Sequence, residues 1–417
     1  MKTLIRYEFF KICCKRALLI AIVIFSVVNL AKIQNVYQSY SYLSNGTEKH
    51  SWDKVYWDLY HQFSGEITLE KVDNLLSLYR PLEERTGDLT ASTATNDPDT
   101  FTGNLYSDRN LLDKYYVKPM NYFYDYQRSA LEVAKRAREN STFYTALGND
   151  YEVRKNAVIY HLFSNREIPT FEYTEMYNYY VNYDFSSVLV LLLCIYGIVT
   201  VFVNEKDTQM DQLLITNPNG GLKTCVAKVI AASAFIVGIS LWFSMLDFIG
   251  FAIAFHTFEG GNLPIYAISN FETASVNVSL FQYVLVSAAV RAMGFWTLGM
   301  VMLWAAMFWR TPLIPFVINF SVSLGLILLG ASSAFYSTAW KKIWNPYALL
   351  VNRMLFGKTE FINLFGYPIL SYQVVICISV IIGISAVTMI FAMYSRNQYC
   401  RLGGKLCKVL STNLKRC

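Results

Sequence analysis

FSSVLVLLLCIYGIVTVFV, Phe185 to Val203, runs straight into NEKDTQMDQLL, Asn204 to Leu214. The first stretch is apolar over about twenty residues, the length an α-helix needs to cross a hydrocarbon core roughly 30 Å thick. The second is charged, and the next apolar run opens at Cys225. A connection that short has no room for a domain. It has room for a short helix across the membrane face, where another protein could push on it. The expectation is a membrane subunit driven from outside itself.

Composition agrees. Apolar residues make up 54% of the 417 and charged residues 16%, against about a quarter charged in soluble domains. Six runs are long enough to span: Ala17–Tyr37, Phe185–Val203, Cys225–Phe255, Phe281–Phe308, Leu313–Phe335 and Gln373–Tyr394. The basic leader (Lys2, Arg6, Lys11, Lys15, Arg16) and the acid-free tail (Arg396, Arg401, Lys405, Lys408, Lys415, Arg416) put both termini in the cytoplasm by the positive-inside rule. An even number of spans requires the same. Against the trend, Lys341, Lys342, Arg353 and Lys358 face only Glu360 between spans five and six. The expected plan is an interfacial helix at 1–16, a first span at 17–37, an extracellular domain at 38–184 and a second span at 185–203. A cytoplasmic connection at 204–224 follows, then spans three to six within 225–394 and a basic tail at 395–417. Ile5, Phe9 and Ile12 share one face of a leader helix, whose lysines can reach anionic headgroups; an ordinary basic anchor without a defined helix is the other reading. No small-x-small cleavage site follows the first run, so it reads as a retained signal anchor.

The external segment from Lys32 to Asp184 carries 22 acidic and 16 basic residues and no cysteine. A domain without disulfides suits a Gram-positive surface better than a eukaryotic ectodomain. Apolar spacing predicts amphipathic helices over Thr68–Arg85, Met120–Asn140 and Asp150–Phe163, with a polar loop at Asp88–Asn104. Glu172–Asp184 reads as a helical lead-in to span two. Tyrosines cluster at Tyr37, Tyr40 and Tyr42 and at Tyr173, Tyr177, Tyr179, Tyr180 and Tyr183. They read as an interfacial aromatic belt before they read as a surface that catches an amphipathic ligand. Between spans five and six, residues 336–372 are too apolar for a free loop and predict short re-entrant helices.

Catalytic chemistry finds little footing. The four histidines (His50, His61, His161, His256) are scattered singly, and no cysteine spacing suits zinc. Asn219-Gly220-Gly221-Leu222-Lys223-Thr224 lacks the first glycine and the preceding strand of a phosphate loop. Nothing points to nucleic acid. Asp247 and Arg291 lie inside apolar runs, where ionisable groups are costly and face a partner, a pathway or each other. They read either as an ion pair between spans three and four or as two groups snorkelling to the interface.

Taken together, these elements resemble the permease subunit of an ABC-2 type ABC transporter. The residues that carry the likeness are Glu205, Asp211, Leu213-Leu214, Pro218, Lys223 and Lys228, with Asn345-Pro346 and Asn363-Leu364-Phe365-Gly366-Tyr367-Pro368-Ile369 before the last span. Thr208 stands where the family has a glycine, and Asp211 where glutamate is common. The resemblance implies an all-α polytopic fold with six transmembrane helices in the type V exporter-like arrangement and a mainly helical extracellular domain. It implies two such chains, identical or related, in the plasma membrane with two cytoplasmic ATPase subunits. ATP and Mg would be bound by the ATPases and no cofactor by this chain. Glu205, Lys206, Asp207, Gln209, Met210, Asp211, Leu213 and Leu214 would form the coupling helix. Its acids would pair with basic residues of the ATPase, and Met210, Leu213 and Leu214 would supply apolar contact. Membrane lipids and an exported amphipathic substrate complete the expected partners, a peptide antibiotic or lantibiotic before a lipid or drug. A non-transporting receptor and a secondary transporter are the competing classes; the latter should show repeated halves with broken helices, and no internal repeat is visible.

Overall fold

A computed structural model describes residues 1–39, 49–86, 101, 105–210, 221–331, 345 and 347–413. The chain is a mainly helical membrane protein. Five helical stretches among the described residues are long and apolar enough to cross a membrane: Arg16–Gln38, Glu175–Asp207, Leu222–Ala254, Leu280–Ala306 and Ser371–Arg396. The predicted fifth span appears as an apolar helix over Leu313–Ala331, with residues 332–335 outside the described part.

In chain order, α1 (Lys2–Cys13) is followed by α2 (Arg16–Gln38), α3 (Lys49–Phe63), β1 (Gly65–Glu66), α4 (Leu69–Thr86) and α5 (Leu105–Leu112). A π turn at Asp113–Val117 leads into α6 (Lys118–Ala146), then α7 (Asp150–Phe163), β2 (Thr170–Phe171), α8 (Glu175–Val181) and α9 (Phe185–Asp207). After α10 (Leu222–Ala254) and α11 (Leu280–Ala306) come α12 (Leu313–Ala331), α13 (Tyr347–Leu350), α14 (Arg353–Phe356), β3 (Phe361–Leu364), β4 (Tyr367–Leu370) and α15 (Ser371–Asn413).

The helical spacing seen in the sequence does its work in the domain. Along α4 the buried apolar positions are Val72, Leu75, Tyr79 and Leu82, and along α6 they include Met120, Phe123, Tyr126, Ala130 and Ala134. Each set is a stripe at three- and four-residue steps that turns one helix face to the core. Asn149 caps α7 by accepting from Glu152 N at 3.2 Å. Helix α11 opens with a capping box in which Ser279 and Gln282 bond each other's backbone.

One core joins more of the chain than residues 38–184. The α10–α11 connection, α13, α14 and the β3–β4 hairpin pack into the same cluster as α4 to α8. Arg166, 1% exposed, reaches from the domain to Ala274 O at 2.6 Å and Asn277 Oδ1 at 2.9 Å. Tyr122 O–H donates to Tyr266 O at 2.6 Å. A second core fills the helix bundle, with α9 packed among α10, α11 and α12. There Gly197 lets α9 approach α10 closely: a Cβ at that position would lie 2.4 Å from Phe235, the small-residue contact common between membrane helices.

Three expectations change. Tyr173, Tyr177, Tyr180 and Tyr183 are buried, so they form core rather than an interfacial belt; their rings pack on Trp57, Phe248 and Phe251. Tyr40 and Tyr42 and almost all of the Asp88–Asn104 loop lie outside the described residues. The lead-in to span two breaks at Asn182–Asp184 between α8 and α9. The segment before the last span is not helical throughout. Residues Phe361–Leu370 form an antiparallel hairpin whose turn residues Phe365 and Gly366 both take positive φ, 52° and 82°, the backbone of a type I′ turn. Asn363 Oδ1 holds Gly366 N at 2.8 Å across that turn. The stretch Gly366-Tyr367-Pro368 therefore leads from the turn into a strand.

Candidate functional site: two buried charge clusters

The expected coupling segment divides into three parts. Glu205, Lys206 and Asp207 are the last turn of α9, extending the helix beyond the predicted end at Val203 because Thr208 N still closes on Asn204 O at 3.0 Å. Gln209 then turns left-handed, at φ 57°, and Met210 stands half exposed. Asp211, Gln212, Leu213 and Leu214 lie outside the described residues.

Glu205 is not available to a partner in the way the sequence suggested. It is 8% exposed, and both carboxylate oxygens are engaged within the chain. Oε1 receives Lys11 Nζ at 2.7 Å, and Oε2 receives Lys228 Nζ. Lys228 on α10 is fully buried and also sits 5.0 Å over the Phe202 ring. Glu8, buried on α1, faces Lys11 at 3.8 Å. Burial lifts the Glu8 carboxyl above its ordinary range against the pull of Lys228 and Lys11. Burial pulls the Lys11 ammonium down, but the hydrogen bond to Glu205 and the charges of Glu205 and Glu8 override it and hold Lys11 up. Two further lysines fasten the same end: Lys15 Nζ donates to Thr200 Oγ1, and Lys206 Nζ to Met307 O. The result is α1 laid across the ends of α9 and α10, tied by charge where the chain leaves α9. A buried charge is tolerated only when paired; here each has a counter-ion from another element or from the next turn.

Asp247 and Arg291 are brought together. They are 1% and 4% exposed and lie 3.8 Å apart, so the snorkelling alternative is set aside. Asp247 is seven residues before the end of α10, about 10 Å along the axis, in the half of the bundle nearest the domain. The cluster is larger than a pair. Asn29 Nδ2 of α2 donates to Asp247 Oδ1 at 2.7 Å, and Ser186 Oγ of α9 donates to Oδ2 at 2.5 Å. Tyr183 O–H closes on Asn29 Oδ1 at 2.8 Å, and Arg291 Nη2 donates to Tyr183 O at 3.4 Å. Alongside, Arg353 of α14 meets Asp184 at 2.6 Å. Four spanning helices and α14 thus meet around two ion pairs. In a low-dielectric surround, polar groups so arranged fix their helices in one register.

Sequence reasoning missed Asn29, Ser186, Tyr183 and Glu8. Asn29 was a lone polar residue in an apolar run, and nothing local to it names a partner 218 positions away. Glu8 is the single acid in a leader of five basic residues, and nothing local marks it as buried. Among the described residues no group of three His, Cys, Asp or Glu side chains is placed to hold a metal. No family model matches the chain, and no curated protein sequence matches it.

Proposed function

We propose that the chain is the membrane-spanning permease subunit of an ABC-2 type exporter. It works as a pair of like or related chains in the plasma membrane, with both termini in the cytoplasm and two ATPase subunits beneath. In this reading the helix Leu313–Ala331 is the fifth span and completes a set of six. One observation carries the proposal. The segment that leaves α9 at Asp207 does so beside Glu205, whose carboxylate ties α9 to α1 and α10. A force applied to residues 207–214 therefore reaches three elements at once. In this reading Met210, Leu213 and Leu214 meet the ATPase, Lys206, Asp207, Gln209 and Asp211 border that contact, and Glu205 anchors the segment from within. ATP-driven closure of the ATPases rocks the spans and expels an amphipathic substrate, a peptide antibiotic before a lipid or drug.

The test is purification from the native membrane followed by transport in vesicles. A protein with a Walker A loop should co-purify, and Met210→Asp or Leu213→Ala with Leu214→Ala should abolish ATP-driven transport. Complexes without an ATPase, or loop variants that hydrolyse ATP and transport normally, sink the proposal. A receptor would give the first of those outcomes while still binding ligand.

A further inference from the structure

Where the domain meets the helix bundle, a cleft of about 550 Å³ opens beside the end of α10 and the start of α11. Its floor is aromatic. Phe248 of α10 lies 6.0 Å from Phe281 of α11, 6.1 Å from Phe258 and 6.3 Å from Tyr177 of α8. Phe258 and Phe281 are 63% and 46% exposed, large rings left open at a boundary between apolar helices and a polar domain. Two carboxylates share the cleft, Glu172 and Glu259.

Among the described residues those acids are held by hydrogen bonds alone. Glu172 accepts from Thr170 Oγ1 at 2.9 Å and from Gly260 N at 3.1 Å. Glu259 accepts from the buried Tyr60 hydroxyl at 2.7 Å. Among the described residues, every hydrogen bond to these two carboxylates comes from a neutral donor. The backbone between them is shaped for the purpose. Gly260 has φ 80°, and a Cβ there would lie 2.4 Å from Tyr173 O; one on Gly261 would lie 2.6 Å from the Tyr177 hydroxyl. Only glycines let this turn lie flat on the tyrosines and present Gly260 N to Glu172.

Charge and shape select one kind of occupant. Aromatic faces attract cations as well as apolar groups, and two carboxylates with only neutral donors among the described residues repel anions. We propose that this cleft binds the cationic, apolar face of an amphipathic peptide, its ammonium or guanidinium groups on Glu172 and Glu259 and its side chains on Phe248, Phe258 and Phe281. The inference gives a substrate class to the exporter reading and rests on that reading for its biological sense. The binding itself is measurable without transport.

The full-length chain is placed in nanodiscs of zwitterionic phosphatidylcholine and titrated with a fluorescein-labelled amphipathic peptide of leucine and lysine. A leucine–glutamate peptide of the same pattern is the control, and anisotropy is the readout. The lysine peptide should bind at least about tenfold more tightly than the glutamate peptide, and added salt should weaken it. Glu172→Gln with Glu259→Gln should remove most of that difference, and Phe258→Ala should weaken binding at every salt concentration. Glu132→Gln, an exposed acid on α6, should bind like the parent. Glu259→Gln alone keeps the test open should the double variant unfold. Equal binding of the two peptides, parental binding by both Glu259→Gln and the double variant, or equal loss in Glu132→Gln overturns the site. Binding as described without ATP-driven transport retains the site and rejects the exporter; transport with that binding absent does the reverse.

Discussion

Glu205 illustrates why one carboxylate can decide the behaviour of a segment. Its two oxygens neutralise Lys228, which has no exposed surface, and Lys11 from a helix nearly two hundred residues away. Removing its charge strands a buried ammonium, a change that costs about 3–5 kcal/mol when no other counter-ion can move in. Glu205→Gln should therefore lower the unfolding temperature in nanodiscs, followed by calorimetry. Adding Lys228→Met should recover much of the loss, since a neutral pair of similar volume leaves no orphan charge. No recovery would mean that Glu205 acts through something other than Lys228. Little of this was visible in the sequence. Glu205 and Lys228 stood out as charges flanking a connection, but their mutual distance is a property of two antiparallel helices and cannot be read from spacing.

At the scale of elements, α6 is fixed to the α10–α11 connection through aromatic rings. Tyr126 stacks on Tyr266 at 4.8 Å and donates to Glu272 O at 2.8 Å, with Arg166 beside it. Burial pushes the Tyr126 phenol up to about 12, against the Arg166 guanidinium, which pulls it down. An unfolded tyrosine ionises near 10, so folding favours the neutral phenol. Its contribution is fully present below pH 10 and is lost as the pH rises towards 12. Alkaline titration followed by phenolate absorbance should show a late phase that Tyr126 shares with other buried tyrosines such as Tyr60 and Tyr122, and Tyr126→Phe should shrink that phase by one phenol at a cost of roughly 1 kcal/mol for the lost hydrogen bond. An unchanged late phase would assign it elsewhere. The helices in this region were legible: stripes in α4, α6 and α7 appear in the sequence within two residues at their starts, although α6 continues to Ala146. The β3–β4 hairpin was not, because its turn depends on a phenylalanine in a left-handed conformation that sequence rules reserve for glycine and asparagine.

Across the whole molecule, the Asp247–Arg291 cluster joins α2, α9, α10 and α11 at the half of the bundle nearest the domain, while Glu205 and its lysines join α1, α9 and α10 at the far end. Helices α9 and α10 are thus clamped by charge at two levels and packed by apolar contact between them. Asp247→Leu and Arg291→Met should each destabilise the chain by about 3–5 kcal/mol, and the double variant by clearly less than their sum. A double-mutant cycle of unfolding free energies checks it; additive effects would show that the two charges act independently.

By itself the sequence determined that this chain lives in a membrane, which runs are apolar enough to cross it, and where the amphipathic helices of the domain lie. Those are consequences of hydrophobic length and period, which are local. It also marked Asp247, Arg291 and Glu205 as charges in costly places. Tertiary structure alone decided that Asp247 is shared with Asn29 and Ser186, that Glu205 faces inward to Lys11 and Lys228, and that the domain core extends into the connections around α11 and α14. The reason is physical. Burial in an apolar surround makes every charge seek a partner, but which partner it meets depends on helix packing between residues far apart in the chain.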